Sequence, residues 1–477
     1  MGRQEGGSGL SDEASDEASD ETPAPTGRMT RTGLFAPERR ALTVGLVLTV
    51  TVVASEALAV VTVMPLVTRD LGGLRLYGWV FSAFLLGSIV GIVAAGRQAD
   101  RSGPARPFVV GLVLFAAGLT VAGVAPTMAV LVAGRLLQGL GAGAVPAVAY
   151  VAIGRAFPEA VQARMMAVLS TAWVVPGIVG PLASAAVAHV FGWRWVFLGL
   201  LPLVVVTGVL ALPGLVRLGR PDAPPEVEHR MSDAVRTAVG SACFLGGLTA
   251  RPWPLAGGLV VVGGLVGLPS LHRLLPPGTL RAQSGLPATI LSRGLLTFAF
   301  FGADAFVTLA IVTVRHHSLA VAGSAVTAST LAWTVGAWIQ ARSDQRRGGR
   351  RLVQSGLTLI FVGIAGMLVV LHPTIPMSVA VVAWATAGLG MGLSYAPTTL
   401  MMLRHAPVGR EGWASASLSL SDVLGAALGA GFGGAAIAAG AVHGWPLSTS
   451  VAIAFVLPVA VAVVGLVLSG RLPSRSG

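Results

Sequence analysis

The stretch Ala41–Leu66 is an almost wholly apolar run of about 26 residues. A helix of this length spans ~39 Å, which is enough to cross the hydrocarbon core of a bilayer with some tilt. Glu56 interrupts the run ~22 Å from its start, near the bilayer centre, where a carboxylate costs roughly 2.5–3.5 kcal/mol. We therefore interpret Glu56 as a proton or cation site that faces an aqueous cavity. A tolerated polar residue in a helix interface is the alternative interpretation.

A second stretch, Thr289–Val314, repeats this pattern in the other half of the chain. Asp304 stands in it where Glu56 stands in the first stretch, and an arginine follows each run, Arg69 and Arg315. A chain that repeats so costly a residue in both halves has the pattern of a duplicated membrane carrier with its site between the halves.

The composition indicates an all-α polytopic membrane protein. Of the 477 residues, 54% are hydrophobic and only 11% are charged, with a mean hydropathy of +0.79. A soluble protein would carry roughly 25% charged residues. The net charge of +12 is explained by arginines that set membrane topology, so we expect no nucleic-acid partner.

Several chemistries are excluded because the chain contains no lysine; all 32 basic residues are arginine. A Walker A loop and a lysine Schiff base both need that side chain. None of the eight histidines begins an HExxH zinc motif, and the single cysteine, Cys243, permits no internal disulfide. We therefore expect no enzyme activity, no cofactor and no metal.

The apolar runs predict two six-helix bundles with pseudo-twofold symmetry and two extra central helices, fourteen spans in all, with twelve as the alternative. The extra pair, 234–250 and 255–271, is the weak part because each run is only about 17 residues long, the lower limit for spanning. The predicted domains are an acidic disordered cytoplasmic tail (1–36), an N-terminal bundle (37–216), a linker with the extra helices (217–288), a C-terminal bundle (289–470) and a short cytoplasmic tail (471–477).

Arginine placement predicts the orientation. With a cytoplasmic N-terminus, the inner loops receive most arginines, Arg293 and the cluster 342–351 among them, and deleting one weak helix would move that cluster outside, against the positive-inside rule. The weak pair therefore spans together or not at all. We expect a monomer in the plasma (inner) membrane with both termini in the cytoplasm.

The predicted loop after the second span reads GRQADRSGPAR from Gly96 to Arg106. It resembles the signature loop of the major facilitator superfamily, G-x-x-x-D-R-x-G-x-R, in position and in its letters from Gly96 to Gly103, and Arg106 follows one residue later than in that pattern. The resemblance implies a conformational latch, formed by Gly96, Asp100, Arg101, Gly103 and Arg106. A degenerate copy in the second half contains Asp344. A merely basic, topology-setting loop would explain the arginines but not Asp100 and the glycines.

The fourth span contains Arg135-Leu136-Leu137-Gln138-Gly139, which resembles the R-x-x-Q-G motif of the same superfamily. Arg135 lies ~12 Å deep, at a height similar to that of Glu56, and a buried arginine needs a counter-charge or hydrogen-bond partners. Glu56 or a bound anion could serve; a structural arginine tied to carbonyls is the alternative. In the second half Trp384 replaces the arginine, so we expect Asp304 to lack an equivalent cation.

The fifth span contains Gly177, Gly180 and Pro181, which resemble the G-x-x-x-G-P motif associated with antiporters, although the spacing here is G-x-x-G-P. Ordinary helix packing would also explain them. For Asp422 in the thirteenth span, a solvated mouth and a site are equally open. As substrate-binding candidates we take Glu56, Asp304, Gln138, Trp173, Phe301 and Trp384.

The family resemblance covers residues ~38–470 and is strongest for the fourteen-span drug:proton antiporter branch. That branch commonly has aspartate in a D-x-T pattern in helix 1, where this chain has Glu56-Ala57-Leu58. The implied function is proton-coupled, multidrug-type export of hydrophobic or cationic small molecules by alternating access, with Glu56, Asp304 and Arg135 in proton coupling. Alternatives are export or symport of a specific metabolite, siderophore or lipid precursor, or a transport-dead membrane sensor that signals through its acidic tail.

Overall fold

The computed structural model describes residues 34–220, 230–407 and 410–473, and within these ranges the chain is helical and contains no β-strand. Most of the acidic tail lies outside them. The first part of the chain forms the helices α1 (Pro37–Leu71), α2 (Tyr77–Ser102), α3 (Ala105–Gly123), α4 (Met128–Ala142), α5 (Ala144–Ala156), α6 (Glu159–Thr171), α7 (Val174–Phe191), α8 (Arg194–Leu198) and α9 (Leu201–Arg217).

The second part begins with the pair α10 and α11 and continues with six more helices. Its elements are α10 (Arg230–Thr249), α11 (Trp253–Leu274), α12 (Leu286–Leu309), α13 (Leu319–Arg347), α14 (Gly349–Val370), α15 (Met377–His405), α16 (Glu411–His443) and α17 (Leu447–Leu468). A π-helical turn, Ala310–Val314, extends α12. The prediction of an all-α polytopic fold is confirmed.

Thirteen helical segments in the described ranges are long and apolar enough to cross a membrane. Two of them join neighbouring helices, α4 with α5 and α8 with α9, and three extend a helix by a short turn: α2 begins at Leu74, α12 includes its π-helical turn, and α17 continues to Arg471. We call the side on which α1 begins and α2 ends the arginine-rich face, and the opposite side the arginine-poor face.

The helix α10 is less apolar than the thirteen, yet its packing places it across the same layer. Its first turns contact α11, where Asp233 lies 3.5 Å from Arg273. Further along, Phe244 packs edge-to-face on Phe432 of α16, and near its end Thr249 accepts a hydrogen bond from Trp79 of α2. Its 20 residues rise ~30 Å, enough to span the hydrocarbon core. The extra pair is thus longer than the sequence indicated.

The two halves of the molecule meet along a seam between α2 and α16. A Cβ added to Gly78 would lie 2.5 Å from the Cα of Gly434, so the two backbones touch where neither residue has a side chain. Ser82 donates a hydrogen bond of 2.8 Å to the carbonyl of Ala427. These contacts connect the halves from the arginine-poor face towards the middle of the layer.

The extra pair covers this seam. Leu245 of α10 packs in one apolar cluster with Leu86 and Ile89 of α2 and with Leu424 and Ala427 of α16. Because α10 touches both halves at once, it fills the groove between them. On the other side of α10, α11 leaves most of its own apolar surface exposed, as expected for a helix that faces lipid.

Two details differ from the sequence-based expectations. The signature motif after the second span is not a loop throughout, because α2 continues as a helix to Ser102 and only Gly103 breaks it, with a φ of +81° that glycine tolerates. Arg293, assigned above to an inner loop, lies within α12 and is buried.

Candidate functional site

Glu56 and Arg135 form an ion pair in the interior of the first half. Glu56 lies on α1 and is 1% exposed, and Arg135 reaches it from α4. Gln138 completes a triangle, since it donates to Glu56 Oε1 at 3.2 Å and accepts from Arg135 at 3.0 Å. The spacing of Arg135 and Gln138 puts both side chains on one face of α4. The predicted counter-charge for Arg135 is therefore Glu56.

The guanidinium of Arg135 is also fixed from α2. Its Nε donates to the carbonyl of Val80 at 3.1 Å, and its Cζ lies 4.3 Å from the ring centroid of Phe84. Gly139 permits this approach, because a Cβ there would lie 2.0 Å from the Phe84 carbonyl oxygen. The R-x-x-Q-G pattern thus combines an ion-pair partner, an amide bridge and the glycine that brings α4 against α2.

One oxygen of Glu56 is left without a partner. Its Oε2 is buried and accepts no hydrogen bond from any described residue. A buried carboxylate oxygen without a partner is costly. It is therefore the point in this triangle at which a proton can bind without displacing an existing donor.

Asp304 occupies the corresponding place in the second half, and its partner is an indole. Trp384 of α15 donates from Nε1 to Asp304 Oδ1 at 3.1 Å, and the tryptophan is fully buried. The ring of Phe300 stacks on Trp384 with centroids 5.0 Å apart and planes 12° apart. No cation in the described part of the chain is paired with this carboxylate.

Aromatic rings continue from this pair towards the arginine-rich face. Phe300 meets Trp333 edge-to-face at 5.6 Å, and Trp333 meets Tyr395 at 5.5 Å. The hydroxyl of Tyr395 then donates to Asp422 Oδ2 at 2.7 Å. An unbroken line of ring contacts therefore joins the neighbourhoods of two carboxylates of the second half, Asp304 and Asp422.

Arg293 lies under the last ring of this line. Its Cζ is 3.5 Å from the ring centroid of Tyr395, and its Nη2 donates to Thr399. The guanidinium is 2% exposed, and its Nε and Nη1 have no partner among the described residues. Sequence reasoning missed this position, although the apolar residues Leu286–Ile290 that precede Arg293 show that the helix begins earlier.

The other predicted substrate-binding residues differ in position. Phe301 is half-buried against Phe300 and Trp333, beside the aromatic line. Trp173 lies between α6 and α7 and is 47% exposed. It is therefore not part of the buried carboxylate clusters.

Two residues of the antiporter-type motif, Gly177 and Pro181, make contacts between the halves. A Cβ on Gly177 would lie 2.0 Å from Thr330 Cγ2 of α13, and the carbonyl of Pro181 packs near Gly323. Gly180 makes no such close approach, since a Cβ there would meet only Leu58 at 4.0 Å. Packing alone accounts for Gly177, and Pro181 lies inside α7.

The predicted latch residues lie at the arginine-rich end of α2 and the start of α3. Asp100 is exposed, forms no ion pair with another described residue and does not cap α3. Gly103 packs against the carbonyl of Gly219, and a Cβ added to Gly103 would lie 2.1 Å from that carbonyl oxygen. Arg101 and Arg106 are exposed, and Gly96 is half-buried. The side chain of Asp344, near the end of α13, is outside the described part of the structure.

The family model of the Major Facilitator Superfamily matches residues 42–430, which is most of the chain. This protein belongs to that superfamily. The superfamily consists of transporters, so the protein is a multi-pass membrane transporter and not an enzyme. The residues that carried the resemblance, Arg135 with Gln138 and the motif around Asp100, lie inside the matched region.

Among curated proteins, a probable multidrug-efflux transporter of Mycobacterium tuberculosis is 26% identical over 403 residues, which cover 80% of this chain and 84% of the relative. A multidrug transporter protein of Bacillus subtilis is 31% identical over 178 residues, covering 37% of this chain and 33% of the relative.

The solved structures show the same fold at low identity. An auto-inhibited peptide transporter of the POT family superposes with a TM-score of 0.66 at 16% identity, covering 91% of this chain and 98% of that chain. A bacterial homologue of the human lysosomal transporter Spinster, inward-facing and unoccupied, gives 0.60 at 15%, covering 92% and 99%.

Proposed function

We propose that this transporter exports hydrophobic or cationic small molecules in exchange for protons. The names of its multidrug-efflux relatives support the class of cargo. The buried pair of Glu56 and Arg135 carries the proposal of proton coupling, since a membrane-embedded carboxylate marks a proton or ion pathway by default. In this proposal the arginine-rich face and both termini are cytoplasmic, the two six-helix bundles of 37–216 and 289–470 rock about the central site, and the protein acts as a monomer.

The coupling follows from electrostatics. With Glu56 ionised, the triangle with Arg135 and Gln138 is neutral and satisfied except at Oε2. A proton on Glu56 removes the counter-charge of Arg135, and breaking one partner of a buried ion pair costs about 3–5 kcal/mol. The protonated site therefore favours a different arrangement of α1 against α4. Each proton that enters the cell supplies ~2.3 kcal/mol per 100 mV of membrane potential.

Cargo and proton exclude one another through charge. A cationic cargo is attracted to Asp304, which has an indole partner and no paired cation among the described residues. Protonation of Glu56 leaves Arg135 as an uncompensated positive charge in the same interior, which disfavours a second cation there. The cationic cargo therefore leaves when a proton binds, and antiport results.

Proteoliposomes that contain the full-length protein test this proposal with the cationic dye rhodamine 123. An imposed pH gradient should drive dye accumulation by the unaltered protein. The Glu56→Gln variant should lose gradient-driven transport while dye exchange without a gradient persists. Asp70→Asn is the matched control, because Asp70 is a surface carboxylate that pairs with Arg194 at the arginine-poor face. Normal gradient-driven transport by Glu56→Gln would show that Glu56 does not couple protons.

A further inference from the structure

The cluster of Arg293, Tyr395 and Asp422 contains two opposite charges that do not neutralise each other directly. Tyr395 stands between them, with its ring over the guanidinium and its hydroxyl on the carboxylate. Arg293 forms no ion pair with Asp422, and each keeps unused hydrogen-bonding capacity: Nε and Nη1 on the arginine, Oδ1 on the aspartate.

Such an arrangement is costly inside a membrane protein. Buried charges are ordinarily paired or hydrogen-bonded at every polar atom, because water is not available to solvate them. A direct contact between Arg293 and Asp422 would satisfy both, and it is not made. The open donors and the open acceptor therefore match a ligand group that brings both an anion and a cation.

The position of the cluster suits a cargo site. Arg293 precedes Asp304 by eleven residues on α12, which places it ~16 Å closer to the arginine-rich face. Asp422, Tyr395 and Thr399 are partly exposed. Tyr150 of α5, in the first half of the molecule, is 56% exposed and interacts electrostatically with Asp422. Three residues at the cluster thus have surface that a cargo molecule can reach.

We propose that Arg293 and Asp422 bind the head group of a zwitterionic cargo, with its ammonium or delocalised cation on Asp422 and its carboxylate on Arg293. The ring of Tyr395 turns aside to admit the carboxylate. The aromatic line through Trp333 and Phe300 holds the apolar body of the same molecule by ring contacts. This inference rests on the proposed function and adds zwitterions to the cargo proposed there.

Two dyes of one scaffold test the proposal. Rhodamine 110 is a zwitterion with a free carboxylate, and rhodamine 123 is its methyl ester and a simple cation. Binding is measured by fluorescence anisotropy with the full-length protein in lipid nanodiscs at neutral pH. Rhodamine 110 should bind about tenfold more tightly, since one charge-assisted contact is worth about that factor.

Variants separate the two charges. Arg293→Gln should remove the preference for rhodamine 110 and leave rhodamine 123 binding within about twofold, which also shows that the variant is folded. Arg293→Lys should keep part of the preference if Gln does not fold. Asp422→Asn should weaken both dyes. Arg194→Gln, which removes an arginine 42% exposed at the arginine-poor face, should change neither.

The outcomes distinguish this inference from the proposed function. Equal binding of the two dyes, or a preference unchanged in Arg293→Gln, overturns the zwitterion site even if rhodamine 123 is still exported by a pH gradient. An Arg293-dependent preference without gradient-driven export upholds the site and overturns the proton coupling. Binding of neither dye, with no export, overturns both.

Discussion

Trp384 contacts Asp304 where Arg135 contacts Glu56 in the other half of the molecule. The first contact is an indole N–H on a carboxylate at 3.1 Å, and the second is a guanidinium ion pair. Each half thus has a buried carboxylate on its first helix, but one is held by a neutral indole and the other by a charged guanidinium. Glu56 is paired with a cation of the protein, whereas Asp304 is paired with none in the described part of the chain.

Asp304→Asn should therefore impair the export of cations and spare neutral cargo. Losing the negative charge removes the attraction for a cation but leaves a side chain that can still accept the Trp384 N–H. Transport of rhodamine 123 should fall at least tenfold, and transport of the neutral dye Nile red should stay within about threefold. Equal losses for both dyes would indicate a structural role for Asp304 rather than a cargo role.

Adding one methyl group at the seam should open it. Gly78→Ala places a Cβ 2.5 Å from Gly434 and 2.7 Å from the Ala430 carbonyl, which are backbone atoms that cannot yield cheaply. In a Cys243→Ser background, spin labels at Arg75→Cys and His443→Cys should report longer distances across the arginine-poor face. Gly258→Ala is the control, since its Cβ would meet nothing within 4 Å. An unchanged distance distribution in Gly78→Ala would refute the seam as the closed contact.

Labelling of the turn between α10 and α11 tests whether the two helices of the extra pair cross the membrane. Arg251 is exposed there. In the Cys243→Ser background, Arg251→Cys should react with a membrane-impermeant maleimide added to intact cells, because both helices cross together. Arg220→Cys, exposed after α9, should react only after the cells are opened. Labelling of both positions only in opened cells would mean that the pair does not cross.

Asp100→Asn should slow transport without weakening cargo binding. Asp100 is on the surface at the end of α2, far along the helix from Ser82 and the seam, and pairs with no described residue here. We expect it to find an arginine partner in another state of the cycle, so its charge biases the conformations and not the affinity. Turnover should fall several-fold while rhodamine 123 affinity stays within about threefold. Normal turnover with weak binding would contradict the latch.

The length of the apolar runs and the energetic cost of burying a charged residue made much of this molecule predictable. An apolar run long enough to span, interrupted by one expensive residue, identified Glu56 and Asp304, and helix geometry placed Arg135 at the height of Glu56. The helical spans were predictable because a membrane leaves a chain few ways to satisfy its backbone hydrogen bonds. The family, the fold and the transporter class followed from the same residues together with the motif letters.

Other features depend on tertiary packing that a sequence pattern does not contain. Arg293 was assigned to a loop because arginines near a predicted helix end usually set topology. Its burial depends on the Tyr395 ring of α15, a contact between helices distant in sequence. Likewise, α10 appeared marginal because its composition is mixed, and only its contacts with Phe432 and Trp79 show that it lies alongside the spanning helices α16 and α2.

The position of α10 over the seam has a mechanical consequence. When α2 and α16 separate, the groove beneath Leu245 must widen, and without a cover lipid tails would enter it. Since α10 packs on both sides, the proposed cycle requires its contacts with at least one of them to change as the halves separate. We therefore expect the contacts of α10 with the two halves to limit the rate of transport in the proposed cycle. Shortening Phe244, which packs on Phe432, should therefore weaken the cover over the seam and speed the cycle.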